Sequence, residues 1–369
     1  MAWNWEVEDT SEIITPALLI YKDRVASNLG RMLEMAGSAA RLRPHVKTHK
    51  MREIVAMALA RGITKHKCAT IAEAEMLADC GVPDVFLAYP LVGPNPLRMA
   101  KLIQKYPKAT FLCLVDHPAA TRRLSEVMKA EGAKVGVLVD LDLGQHRTGI
   151  APGESAGDLY RLVDDLPALE PAGLHVYDGH NHQESLADRV AAAREQMKPV
   201  WALRQRLLDE GLSVPRMVLG GTPTFPVYSA IDGSNIECAP GTCVLHDDGY
   251  GSRFPDLPFV HAAVLLSRVI SIPTADRVCL DLGYKAVASD PKGDRVKLLN
   301  LEGRQILQNE EHLVVETPEA GTMQPGDEVY AIPTHICPTS ALHKQAWVIE
   351  DGRLVDRWLV AARDRWLTV

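Results

Sequence analysis

The sequence predicts an α/β protein, a (β/α)8 barrel of TIM type joined to a second, mainly antiparallel β domain. Two observations carry that expectation. From about residue 41 to 241, short apolar runs alternate with amphipathic stretches of helical period. Beyond about residue 246 the apolar runs shorten and turn residues interrupt them. A chain of 369 residues also exceeds what one small core requires, and suits a large domain with a smaller companion.

In chain order, the strand candidates are LRPHVK, KHKCAT, DVFLAYP, TFLCLVD, KVGVLVDLD, AGLHVYDG, RMVLGG and NIECAP. Helical spacing marks 51–61, 71–80, 95–106, 121–131 and, longest, 187–210. Strands separated by single helices imply a parallel βα array, and eight of them suffice to close a barrel, with a doubly wound sheet as the alternative. The barrel is expected over 23–245. In the remainder, FVHAAVLLSRVIS, RVCLDLG, HLVVE, DEVYAIP and AWVIEDGRLVDRWLV read as short strands, with EDGR as a hairpin turn.

A net charge of −7 gives no broad attraction to nucleic acid or to an anionic membrane, so any bound anion needs a local site. The N-terminal MAWNWEVEDTSEIITP is acidic and lacks the apolar run of a secretory signal. No stretch of about 18 apolar residues reads as a membrane span. Seven scattered cysteines form no framework spacing and fit reduced thiols in a cytoplasm.

Four constellations could carry chemistry. RLRPHVKTHK (41–50) gathers Arg41, Arg43, Lys47 and Lys50 with two histidines at the end of the first barrel strand. A lysine among cations loses its proton more easily, as a Schiff-base nucleophile requires; a basic surface loop is the plain alternative. VLGGTPTF (218–225) offers backbone amides and a hydroxyl at Gly220, Gly221 and Thr222, either a phosphate nest or a tight turn. GLHVYDGHNHQ (173–183) brings Tyr177, His180 and His182 to another strand end, and VDLDLGQHRTGI (139–150) adds Arg147. Finally, PTHICPTSALH (333–343) sets His335 and Cys337 two residues apart. On a strand they would face the same way and share a metal ion, with Glu311 and His343 as possible outer partners.

Taken together, TPALLIY, RPHVKTHK, GQHRTGI, GGTPTF, ECAPGTCV, DLGYKAVASD, EEH and PTHICPT resemble, in order and spacing over nearly the whole chain, the D-threonine aldolase and eukaryotic-type D-serine dehydratase family. That family has the alanine-racemase-like fold, type III among enzymes that use pyridoxal 5'-phosphate (PLP). The resemblance implies that Lys47, rather than Lys50, is the Schiff-base lysine. It implies that Arg147 and Tyr177 line the cofactor, while Gly220, Gly221, Thr222, Gly241 and Thr242 hold its phosphate. His335 and Cys337 become the ligands of a divalent ion (zinc, manganese or magnesium). Residues 15–21 are expected to pair with the C-terminal strands, so that 1–22 and 246–369 form the metal-bearing β domain. A homodimer is implied as well.

The reaction implied is lysis of a β-hydroxy-D-amino acid. Retro-aldol cleavage would give glycine and an aldehyde, with His180 or His182 as candidate base for the hydroxyl. Dehydration would give a 2-oxo acid and ammonia. Some aldolases of the family carry aspartate where Cys337 stands, so Cys337 leans toward the dehydratase; the GLHVYDGHNH and HICPTSALH segments look closer to the bacterial aldolase branch. The aldolase is the favoured expectation. Racemisation needs a second acid/base on the opposite face, where the metal pair is expected, and a catalytically silent PLP carrier would not require the large C-terminal domain.

Overall fold

Runs such as VFLA, FLCLV and VLVDL are rich in β-branched and large aliphatic residues, and burial on both faces is what a helix-covered parallel sheet demands. In the computed structural model, which describes residues 4–233 and 235–369, they become strands of one parallel sheet. After a first strand, β1 (Ala17–Tyr21), come β2 (Lys65–Cys68), β3 (Asp84–Pro90), β4 (Thr110–Val115), β5 (Val135–Leu141), β6 (Leu169–Val176), β7 (Met217–Leu219) and β8 (Ile236–Cys238). Strands β2 to β8 pair in sequential order, all parallel. Phe86, Leu112, Leu138 and Val218 form part of their shared core. Helices at Arg52–Leu59, Ile71–Asp79, Asn95–Lys105, Pro118–Ala130, Glu154–Asp165 and Leu186–Asp209 separate them.

The expected first barrel strand, 42–47, is present only as two parallel bridges, Leu42 to Cys238 and His45 to Lys67. It therefore lies between β8 and β2 and joins the two edges of the sheet. The amides of Arg43 and His45 donate to the carbonyls of Cys238 (2.9 Å) and Pro240 (2.8 Å), while the Pro44 carbonyl accepts from the Lys67 amide (2.9 Å). This ladder stays short for a local reason. Pro44 has no N–H, and Val46–Thr48 already turns as a 3-10 helix. The seven-stranded parallel sheet with its closing segment is the TIM-like expectation realised with one degenerate strand.

Contacts divide the chain into two units: 32–47 with 55–241 and 364–369, and 1–31 with 48–54 and 242–363. The second unit is mainly antiparallel. Its strands are β1 with β9 (Ala263–Thr274), β10 (Arg277–Leu280), β11 (Val296–Leu298), β12 (Arg304–Gln308), β13 (Leu313–Glu316), β14 (Glu328–Pro333), β15 (Gln345–Glu350) and β16 (Arg353–Leu359). The main order is β12-β13-β10-β9-β1-β15-β16, with β14 on β9 and β11 on β14. As expected for residues 15–21, β1 sits inside this sheet, antiparallel to β9 and parallel to β15. The EDGR segment is the β15–β16 turn, with Asp351 and Gly352 at positive φ. No helix among the described residues is long and apolar enough to cross a membrane, and none of the seven cysteines forms a disulfide.

Candidate active site

A cavity of about 490 Å3 lies within the barrel unit, and Lys47, Lys67, Asp140, Arg147, His175 and Tyr177 are among the residues that line it. These side chains follow or end barrel strands, the place where a TIM-type scaffold presents its chemistry. Lys47 leaves the closing segment in the 3-10 turn, and its amide donates to the Nδ1 of His45 (3.2 Å), another lining residue.

Arg147 is placed by the loop after β5. The Asp142 carboxylate accepts from the Gly144 amide (2.9 Å), the His146 amide (3.0 Å) and the His146 ring (2.7 Å). The Thr148 hydroxyl then donates to Asp140 (3.0 Å) and the Gly149 amide to Asp116 (3.0 Å). Held at both ends, this loop sets the guanidinium 5.1 Å from the centre of the Tyr177 ring. The ammonium groups of Lys47 and Lys67 lie 5.8 and 5.5 Å from the same ring. Two amines and a guanidinium thus lie within about 6 Å of one aromatic ring, a setting that a bound anion would stabilise.

The ring has room because its neighbours are small. A Cβ on Gly179 would sit 2.5 Å from Tyr177 Cε1. The glycine turn after β7 is likewise a packed structure: Gly220 has φ +69°, and a Cβ there would lie 2.5 Å from the Tyr228 ring. The turn is tied down by Asp178, which accepts from the Thr224 and Tyr228 hydroxyls (both 2.8 Å) and from Asn181 (3.0 Å). Burial raises the Asp178 pKa despite these bonds. The Gly221 amide faces the Thr224 hydroxyl (3.4 Å), and the buried Thr222 hydroxyl accepts from the Gly241 amide (3.2 Å). Thr242, expected with them, belongs to the other unit, where its hydroxyl lies 3.4 Å from Cys337 Sγ.

The sequence reading missed a buried relay. Lys67 Nζ lies 2.7 Å from His175 Nε2, and His175 Nδ1 lies 2.6 Å from Asp140. A carboxylate only accepts, so Nδ1 carries the ring proton and Nε2 accepts from Lys67. Burial, reinforced by Lys47, pushes the Lys67 amine down to about 7. Burial, and then Lys67, push His175 down to about 4. Burial works to raise Asp140, yet its bonds from His175 and Thr148 hold it below the usual carboxylate range. The signal was there to read: Asp140 and His175 interrupt otherwise apolar strand runs, and a buried polar group requires a partner.

His180 and His182 are not among the residues lining the cavity. The ring of His180 meets Gln196 (3.1 Å), and His182 is exposed. Lys50 is likewise absent from the lining.

In the β unit, the expected strand through His335 and Cys337 is a correction. His335 is the N-cap of a helix, Ile336–Leu342, and Cys337 lies in its first turn. Pro333 ends β14 and Pro338 fits the start of a helix, where a missing N–H costs nothing. The two side chains still meet, by hydrogen bonding rather than by strand alternation. Burial lowers the His335 pKa, but Cys337 and Asp290 outweigh it and raise the imidazole to about 9. Asp290 lies 2.5 Å from His335 Nδ1, so it takes the outer position expected of Glu311 or His343. Glu311 pairs with Lys285 (3.0 Å), and His343 bonds the Ala286 carbonyl (2.7 Å). The Thr48 hydroxyl is 3.1 Å from Cys337 Sγ. Among the described residues no group of three or more His, Cys, Asp or Glu side chains is arranged to hold a metal.

Comparison with known proteins places the chain in a family. Residues 20–244 match the family model of the alanine racemase N-terminal domain, and residues 262–349 match that of the serine dehydratase domain. The chain is 29% identical over 360 residues to a D-threonine aldolase of Arthrobacter sp., covering 96% of this chain and 93% of the relative. It is 27% identical to a D-threo-3-hydroxyaspartate dehydratase of Delftia sp., covering 89% and 92%. The crystal structure of D-threonine aldolase from Filomicrobium marinum superposes with a TM-score of 0.87 at 28% identity, covering 95% of this chain and 96% of that one. An alanine-racemase-type N-terminal domain followed by a serine-dehydratase-type C-terminal domain makes this chain a member of the D-threonine aldolase/D-serine dehydratase family of lyases.

Proposed function

We propose that the protein is a PLP- and divalent-metal-dependent lyase of β-hydroxy-D-amino acids, working as a D-threonine aldolase that releases glycine and an aldehyde. The observation that carries this reading is the convergence of Lys47, Lys67 and Arg147 on Tyr177 in one cavity. A cavity of about 490 Å3 with two amines and a guanidinium suits a phosphorylated, phenolic aldehyde such as PLP. Lys47 would hold it covalently, with Tyr177 and Arg147 along its ring. Gly220, Gly221, Thr222 and Gly241 would hold its phosphate. When bound, PLP supplies the electron sink for charge developing at the substrate's α-carbon.

The residues' own tasks follow. The Lys47 amine would also serve as a proton carrier on one face of the site. The Arg147 guanidinium would donate to anionic oxygen and offset its charge. His335 and Cys337 offer an imidazole and a thiol, donors that suit zinc, with Asp290 orienting the imidazole. Such an ion is a Lewis acid for the β-hydroxyl. His335→Ala should then remove the metal, measured by elemental analysis, and lower kcat by about 10²-fold or more. The cofactor's colour should persist, and an undiminished kcat would end the metal assignment.

A second reading is favoured by Cys337, which leans toward dehydration to a 2-oxo acid and ammonia, as does the similarity to the Delftia dehydratase. Incubation with D-threonine distinguishes them. Glycine with acetaldehyde supports the aldolase, 2-oxobutanoate with ammonia supports the dehydratase, and neither product removes both. The family supports a homodimer, and cysteines outside any disulfide support a reducing cytoplasm.

A further inference from the structure

We propose that Thr48 and Thr242 are positioning residues that fasten the Cys337 sulfur, so that a metal bound at Cys337 and a cofactor bound at Lys47 strengthen each other's binding. This rests on the lyase reading and deepens it by naming the residues that link the two ligands.

Both threonines belong to the β unit, as does the metal pair. The Thr48 hydroxyl is 3.1 Å from Cys337 Sγ and the Thr242 hydroxyl 3.4 Å. They come from distant parts of the chain, yet each directly follows a residue assigned to the cofactor: Lys47 precedes Thr48, and Gly241 precedes Thr242. The planar peptide unit between the members of each pair passes a displacement of one to the other. Each threonine also sits in a 3-10 turn, Val46–Thr48 or Thr242–Val244.

Further bonds hold both threonines in place. The Ser340 hydroxyl donates to the Thr48 carbonyl. Ser340 and Cys337 share the helix Ile336–Leu342, which therefore grips Thr48 at two points. The Thr242 carbonyl accepts from the Leu245 and His246 amides (3.1 and 2.7 Å). Asp247, next in the chain, accepts from the amide of Ile336 (3.0 Å), the residue between the two expected ligands.

The chemistry of the sulfur shows which state these contacts serve. Thr48 has 0% of its surface exposed and Thr242 7%, so both hydroxyls need partners inside the protein. A thiol sulfur is a weak acceptor. A metal-bound sulfur has lost its proton, and hydrogen bonds to an ionised acceptor are shorter and stronger. Two converging hydroxyls therefore match a metal-bound Cys337. With the sulfur held by an ion, both threonines are held, and so is the backbone at Lys47 and Gly241. Linkage makes the effect reciprocal: the factor by which metal tightens the cofactor is the factor by which cofactor tightens the metal.

The test measures two affinities. PLP dissociation constants come from the absorbance of the bound cofactor, with zinc present and after chelation. Zinc dissociation constants come from competition with a chromophoric chelator. In wild type, removing zinc should weaken PLP by about fivefold or more, and PLP should tighten zinc by the same factor. Thr48→Val keeps the shape without the hydroxyl, and it should weaken zinc by about tenfold or more and bring the coupling factor toward one. Thr242→Val should act in the same direction, and Thr48→Ser, which keeps a hydroxyl, should restore both affinity and coupling. A purely structural loss would lower both affinities and leave the coupling factor unchanged. Thr48→Ala serves in the same assays should the valine variant fail to fold. PLP affinities within about twofold with and without zinc, or unchanged zinc affinity in both valine variants, overturn the proposal. Protein that binds only one of the two ligands fails the lyase reading and the coupling with it, whereas equal affinities in a protein that binds both fail the coupling alone.

Discussion

Lys47→Ala is expected to abolish both the cofactor's absorbance and the lysine adduct that borohydride fixes in the wild type, and to lower turnover by roughly 10⁴-fold or more. Mass spectrometry of the reduced peptide locates the adduct, and the melting temperature verifies the fold. The argument is geometric. Lys47 lines the cavity, while Lys50, three residues on, does not, so Lys50→Ala should leave the adduct in place. Backbone supports this division. Lys47 belongs to the 3-10 turn Val46–Thr48, whereas Lys50 has φ +56° and its carbonyl accepts from the Ala362 amide (3.2 Å). A reduced adduct at Lys50 in wild-type protein would overturn the assignment.

How much of this could be read in advance depends on which interactions are local. The barrel was legible because a buried parallel strand needs apolar residues on both faces, and that requirement is written in runs such as TFLCLV. The closing segment was legible as a strand candidate but not as a degenerate one, since the two bridges of Leu42 and His45 depend on β8 and β2, which lie far along the chain. His335 and Cys337 were found by spacing, and the spacing was assigned to the wrong element. The proline after Cys337 was the local clue to a helix start. Lys47, Arg147 and Tyr177 stood out as charged or aromatic groups at strand ends. Lys67 did not, because KHKC looks like an exposed, polar strand until folding sets it across the barrel from His175, 108 residues away. Pairings that span the ring cannot be seen in a window of ten residues.

The other large effect concerns the seam of that ring, where Arg43→Met should lower stability by about 3 to 5 kcal/mol. Arg43 has 0% of its surface exposed. Its Nε donates to Glu237 (2.5 Å), while its two terminal nitrogens form a fork on the Asp84 carboxylate (2.7 and 3.0 Å). Glu237 lies on β8 and Asp84 begins β3, so one guanidinium ties together strands on either side of β2. The backbone ladder of the closing segment is short, which leaves this side chain to hold what further main-chain bonds would hold in a full strand. Lys65 also binds Glu237 (2.7 Å), but it cannot replace the fork on Asp84. Methionine fills the volume and leaves the partly buried Asp84 carboxylate without its fork and Glu237 with Lys65 alone, at a greater cost than the loss of one hydrogen bond. The pH dependence has a definite sign. Burial raises the Asp84 pKa, but the bonds from Arg43 outweigh it and hold the carboxyl below its usual value. Its contribution is therefore full above about pH 4 and disappears as pH falls through the lowered folded value. The deficit of Arg43→Met should be largest near neutrality and shrink in acid, measured by denaturant titration at several pH values. Arg43→Lys should fall between the two, because an ammonium keeps the charge but not the fork. The expected loss corresponds to a fall in melting temperature of roughly 4 to 7 °C. A variant melting within about 2 °C of wild type would mean that the seam is closed by its backbone alone. Lys47 lies four residues along the same segment, so a loosened seam should also weaken cofactor binding at temperatures where the barrel is still folded.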